Sequence, residues 1–67
     1  MSVARVTEIT SASKKSFDDA VEQGIVRANK TLKNVAGAWV RDMKVVVTKG
    51  KITEYRVNMK VTFVLED

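Results

Sequence analysis

The chain has 67 residues and contains neither cysteine nor histidine, which excludes disulfides and thiolate- or imidazole-bound zinc as staples. Hydrophobic residues make up 45% and charged residues 30%, a balance that excludes an intrinsically disordered chain. The net charge of +4 is spread over scattered lysines and arginines; this fits a solvated surface or, as the alternative, an anionic partner.

Residues 1–67 read as a single domain. The opening Met-Ser-Val-Ala-Arg has no apolar stretch of the kind a secretory leader needs, and no run is long enough to span a membrane. A cytoplasmic protein with no membrane partner is expected. Segment 3–10 is rich in β-branched residues and predicts a first strand. Its alternation is imperfect, as suits a strand with neighbours on both faces.

Ser13 and Ser16 are candidate helix caps. Asp19 stands three residues after Ser16, an acidic variant of the capping box, and Asp18 also favours the first turn. Phe17, Ala20, Val21, Gly24, Ile25, Ala28, Leu32 and Val35 then follow in steps of three and four, which places them on one helical stripe. Lys30 and Lys33 suit the C-terminal end, and Asn34 or Gly37 can supply the stop. Val26 lies about 180° from Phe17 at 100° per residue, so it faces away from the stripe. Gly24 inside the stripe should cost about 1 kcal/mol relative to alanine; close approach of the helix to a sheet would account for it.

Segment 38–48 predicts a second strand. Thr48-Lys49-Gly50-Lys51 reads as a hairpin turn in which Gly50 is free to take positive φ. In segment 52–65, Tyr55, Val57, Met59, Val61, Phe63 and Leu65 alternate with Arg56, Asn58, Lys60, Thr62 and Val64. One face of this third strand is therefore apolar and the other mostly polar.

The helix carries the chain back, so the first two strands run the same way and the third fits between them. The expected fold is α+β: β-α-β-β, with a three-stranded antiparallel sheet of order 1-3-2 and one helix on its apolar face. A helix of about 18 residues spans about 27 Å, whereas a strand of about 13 residues spans roughly 43 Å. One helix cannot shelter such a hairpin. Bare apolar surface and two open edges predict pairing with further copies in a closed assembly.

Several runs, in this order and spacing, resemble the dodecin family. They are Val6-Thr7-Glu8-Ile9 with Ser11-Ala12-Ser13, Ser16-Phe17-Asp18-Asp19-Ala20, Ala28-Asn29-Lys30-Thr31-Leu32, Glu54-Tyr55-Arg56-Val57, and Val61-Thr62-Phe63-Val64-Leu65-Glu66. The resemblance covers nearly the whole chain. It implies a hollow homododecamer whose sheet partly wraps the helix. It also implies noncovalent binding of flavin, riboflavin or FMN, as stacked pairs at subunit contacts, in storage or sequestration rather than turnover. No covalent cofactor is expected.

The same resemblance assigns the candidate site residues. Flavin-binding members carry a ring-stacking tryptophan at the position of Gly37. Here the sole tryptophan is Trp39, a shift that keeps the side of the strand but moves the ring roughly 6–7 Å along it. Arg56 stands where the family uses a glutamine on the flavin edge, and Lys44 where it uses an arginine. Arg56 can donate to a ring carbonyl but cannot accept from a ring N–H. Two readings follow: a flavin-sequestering shell, or a dodecin-like assembly that has lost flavin and binds another small ligand or an ion.

Taken from the residues alone, Trp39 is either a platform for a planar ligand or a packing residue at a subunit contact. Arg56, Asn58 and Lys60 are either donors to a ligand or a solvated face. Asp42 and Glu54 are expected in salt bridges with lysine or arginine rather than in acid–base chemistry. Ser11, Ser13 and Ser16, without any histidine, are expected to cap rather than attack. Neither a phosphate loop nor metal-ligand spacing is present. No stacking aromatics interleave with the basic residues, so nucleic acid is not expected as a partner. A binding protein, not an enzyme, is the expected class.

Overall fold

In the computed structural model, residues 3–65 are described; Met1, Ser2 and the Glu66 that closes the last family-like run lie outside them. The element order is β1 (Ala4–Ser13), α1 (Phe17–Thr31), β2 (Val35–Thr48) and β3 (Lys51–Val64). The three strands form one antiparallel sheet of order β1-β3-β2, as expected from the chain's return through the helix.

β1 runs on to Ser13 rather than stopping near residue 10, pairing without interruption from Ala4 against Val64 to Ser13 against Tyr55. Ser11, Ala12 and Ser13, beyond the expected end of the first strand, thus belong to it. Ser13 is buried there. Its hydroxyl donates to Asp19 Oδ2 at 2.6 Å and accepts the Lys15 N–H at 2.9 Å. The helix cap is Ser16, whose Oγ accepts the Asp19 N–H at 3.0 Å. One of the unsatisfied donors of the first turn is thereby satisfied.

α1 ends at Thr31, with the Leu32 N–H donating to Ala28 O at 2.9 Å. The helix is therefore shorter than its apolar stripe. Leu32 and Val35 still pack on the core, but Val35 does so as a β2 residue opposite Phe63. The turn is made by Asn34 at φ 61, an αL conformation that asparagine tolerates. Gly37 makes no stop; it lies within β2. β2 accordingly starts three residues earlier than its pattern suggests.

Ala20, Val57, Met59 and Val61 form the buried core, with Ile9, Phe17, Val21, Ile25 and Val40 packed around it. The alternation of β3 is expressed at its centre, where Val57, Met59 and Val61 are buried, while Leu65 lies past the end of the strand and is exposed. Gly24 is where helix and sheet meet: a Cβ there would stand 2.6 Å from Met59 Cε and 3.0 Å from Ser11 Cβ. At the N-terminal end of α1, Phe17 meets Tyr55 edge to face, with centroids 5.1 Å apart.

The helix sits over β1 and β3 and reaches β2 least. Because β1 stops opposite Tyr55, the hairpin beyond Val45 and Tyr55 runs on without helix or third strand, and the chain is drawn out to 51 × 19 × 14 Å. Val47 and Ile52 are exposed along this overhang, and Met43 and Val45 are exposed on β2 just before it. The turn places Lys49 at φ 53 and Gly50 at φ 76. Two positive φ values in a two-residue loop make a type I′ turn, whose twist matches the strands.

Candidate functional site

Strand partners share a face of the sheet, so the register defines what the side away from α1 displays. Successive rows across β1, β3 and β2 are Val6–Thr62–Gly37, Glu8–Lys60–Trp39, Thr10–Asn58–Asp42 and Ala12–Arg56–Lys44. All four candidate residues, Gly37, Trp39, Lys44 and Arg56, thus lie on this open face, on β2 and β3.

Within one chain they form two separate groups. Trp39 is 68% exposed, and the Lys60 Nζ lies over its ring, 5.9 Å from the centroid, within cation–π reach. Gly37 stands one step along the same face, and nothing would lie within 4 Å of a Cβ there. A space beside the indole is left open in consequence. Lys44 and Arg56 are cross-strand partners, four residues of β3 away from Lys60, or about 13 Å at the rise of a strand.

The second group lines a hollow of about 300 Å³ with Glu8, Thr10, Asp42 and Asn58. Arg56 is not free within it. Its Nε donates to Glu54 Oε1 at 2.8 Å, the salt bridge expected for one of the hairpin acids. Asp42, the other, has no salt-bridge partner among the described residues and lines the hollow beside Lys44 of the same strand. Asn58 donates through Nδ2 to Thr10 Oγ1 at 3.3 Å, and its Oδ1 is buried with no hydrogen-bond partner among the described residues. A buried acceptor left alone costs about 1–3 kcal/mol, so the hollow favours a group that brings a donor.

One contributor is invisible in the residue pattern. β2 is irregular between Val40 and Asp42, so Arg41 is an extra residue with no partner on β3. Such a bulge re-aims side chains. Arg41 reaches past the central strand to Glu8 of β1, with Nη1 to Oε2 at 3.6 Å. Neither the bulge nor this contact has a local sequence signal. A larger groove of about 420 Å³ lies between α1 and the β1 edge, among Ile9, Ser11, Gly24, Ala28 and Leu32. Arg27 is its sole charged lining residue, so no charges converge there.

As a test for flavin, the open face provides an exposed indole with clear space beside it, which fits a planar ring. The hydrogen-bonding edge is not completed at that ring within one chain, because Arg56 is distant and engaged by Glu54. Among the described residues no group of three or more acidic side chains is placed to hold a metal ion, and no helix is long and apolar enough to cross a membrane.

The dodecin family model matches residues 3–66. Among solved structures, the dodecin from Streptomyces davaonensis is 35% identical over 98% of this chain and 97% of its own, with a TM-score of 0.94. The dodecin from Streptomyces coelicolor is 29% identical over 98% and 94%, at a TM-score of 0.93. The calcium-chelating immunodominant antigen of Mycobacterium tuberculosis, a calcium dodecin with a novel calcium-binding site, is 29% identical over 97% and 93%, at 0.83. No curated protein matches in sequence.

Proposed function

The chain belongs to the dodecin family, and from that premise we propose that it is a homododecameric shell in the cytoplasm that binds and buffers a flavin, FMN or riboflavin, without turning it over. The observation that carries the reading is Trp39: a large aromatic, 68% exposed, on the sheet face away from the helix and next to the open position at Gly37. An indole left this bare gains by stacking on a planar ligand. Lys44 and Arg56 are too far from the same chain's Trp39 to serve one ring with it, so a neighbouring subunit has to complete the site. The exposed Val47 and Ile52 on the hairpin overhang, with Met43 and Val45 exposed on β2 just before it, support such assembly.

Binding rather than catalysis is supported by the chain's chemistry. There is no histidine to act as base, and the Ser13 and Ser16 hydroxyls are engaged in hydrogen bonds around the helix start. Light scattering together with an absorbance scan over the flavin bands and a flavin-fluorescence titration tests both halves of the proposal. A mass of many subunits with quenched FMN or riboflavin supports it. A colourless protein that leaves both flavins unquenched rules out the ligand, and a stable single subunit rules out the shell.

The second reading is a dodecin-like assembly that binds another small ligand or an ion. It is favoured by the ion pair of Arg56 with Glu54 at 2.8 Å, which takes up the Nε–H of the flavin-edge guanidinium and sets a carboxylate beside it. Calcium is poorly served by the hollow that holds Glu8 and Asp42, because Lys44 and Arg56 line it too. Calorimetric titration with calcium decides this point.

A further inference from the structure

Lys60 is the one cation of the Trp39 row, and its surroundings leave its charge available. Its cross-strand neighbour on β1 is Glu8, the carboxylate that would ordinarily pair with it. The β2 bulge changes this. Arg41 takes Glu8, with Nη1 to Oε2 at 3.6 Å. Lys60 has no carboxylate partner among the described residues; its Nζ lies over the indole instead, 5.9 Å from the centroid. The remaining charges on this face sit elsewhere: Glu54 is held by Arg56, and Asp42 lies beside Lys44 at the hollow.

Resting on the reading of Trp39 as a ring platform, we propose that Lys60 makes the platform selective for planar rings that carry an anionic group, with Arg41 as the positioning residue that keeps Glu8 from neutralising it. A neutral ring gains only the stacking contact. A ring bearing a phosphate or sulfonate adds a charge-assisted contact to the ammonium, stronger than a neutral hydrogen bond. Gly37 contributes by leaving clear space next to the ring.

Trp39 is the only tryptophan, so quenching of its fluorescence reports occupancy of this site. The probes are two pairs, each a charged ring and its neutral counterpart: FMN with riboflavin, and naphthalene-1-sulfonate with 1-naphthol. They are titrated into the assembled wild-type protein, Lys60→Gln and Lys60→Arg, with light scattering to confirm that each variant assembles alike. The charged member of each pair is expected to bind about tenfold more tightly, the scale of one contact to a charged group. The preference disappears in Lys60→Gln and persists in Lys60→Arg.

Equal binding of charged and neutral rings by the wild type overturns the proposal while leaving the flavin platform standing. Failure of both flavins, with Lys60-dependent binding of the naphthalene sulfonate, rejects the flavin and keeps the selectivity. Absence of quenching by all four probes rejects both.

Discussion

Replacing Gly24 with alanine sets two effects of known sign against each other. In a helix interior the change is worth about 1 kcal/mol in favour of the folded state. Here the new methyl would stand 2.6 Å from Met59 Cε, 3.0 Å from Ser11 Cβ and 3.3 Å from Ser11 Oγ. Met59 is fully buried among Val57, Val61 and Ala20, so its terminal methyl has no solvent to swing into. Overpacking of this kind costs about 1–3 kcal/mol. The expected net effect of Gly24→Ala is therefore a loss of about 1 kcal/mol.

The partner variant makes the mechanism testable. Met59→Ala leaves a cavity and costs about 2–5 kcal/mol by itself, but it removes the shortest contact. In that background Gly24→Ala should recover part of its helical gain and turn stabilising, by about 0.5 kcal/mol. The coupling between the two sites is then about 1–2 kcal/mol. Chemical denaturation followed by far-UV circular dichroism measures all four proteins. Each is held at the same protein concentration, because the apparent stability of an assembling chain moves with concentration. If Gly24→Ala stabilises both backgrounds equally, the helix does not press on Met59 at this point and the account of Gly24 is wrong.

Three further outcomes are expected. Ser16→Ala should lower stability by about 1 kcal/mol, read as an earlier denaturation midpoint, because the Asp19 N–H loses its acceptor. Lys49→Asn should raise stability by about 0.5–1 kcal/mol, since the turn holds residue 49 at φ 53, where a lysine is strained and an asparagine is at ease; thermal unfolding measures it. Trp39→Ala should weaken planar-ligand binding at least several-fold while leaving the light-scattering mass unchanged; loss of the assembly would make Trp39 an interface residue instead.

The helix, the sheet order and the buried side of β3 were all legible in the chain. Each follows from local rules: a stripe at steps of three and four, a serine with an acid three residues on, and strict alternation from Tyr55 to Phe63. Gly24 was legible as a place of close approach because glycine in a helix is unfavourable without such a reason. Element ends were less readable. The stripe continues through Leu32 and Val35, and periodicity does not distinguish a helix residue from a strand residue that packs on the same core; the left-handed turn at Asn34 decides between them.

Trp39, Lys44, Arg56 and Gly37 were named through the resemblance to the dodecins; strict alternation would set Lys44 on the other side of β2 from Trp39, and the extra residue at Arg41 is what brings both to one face. What they meet could not be read from the chain. The bulge at Arg41, its reach to Glu8, the release of Lys60 to the indole and the engagement of Arg56 by Glu54 depend on register across three strands. Register is a property of pairings between residues far apart in the chain, such as Ala4 with Val64. No local pattern encodes an extra residue in one strand, because the partner that skips it lies elsewhere in the chain.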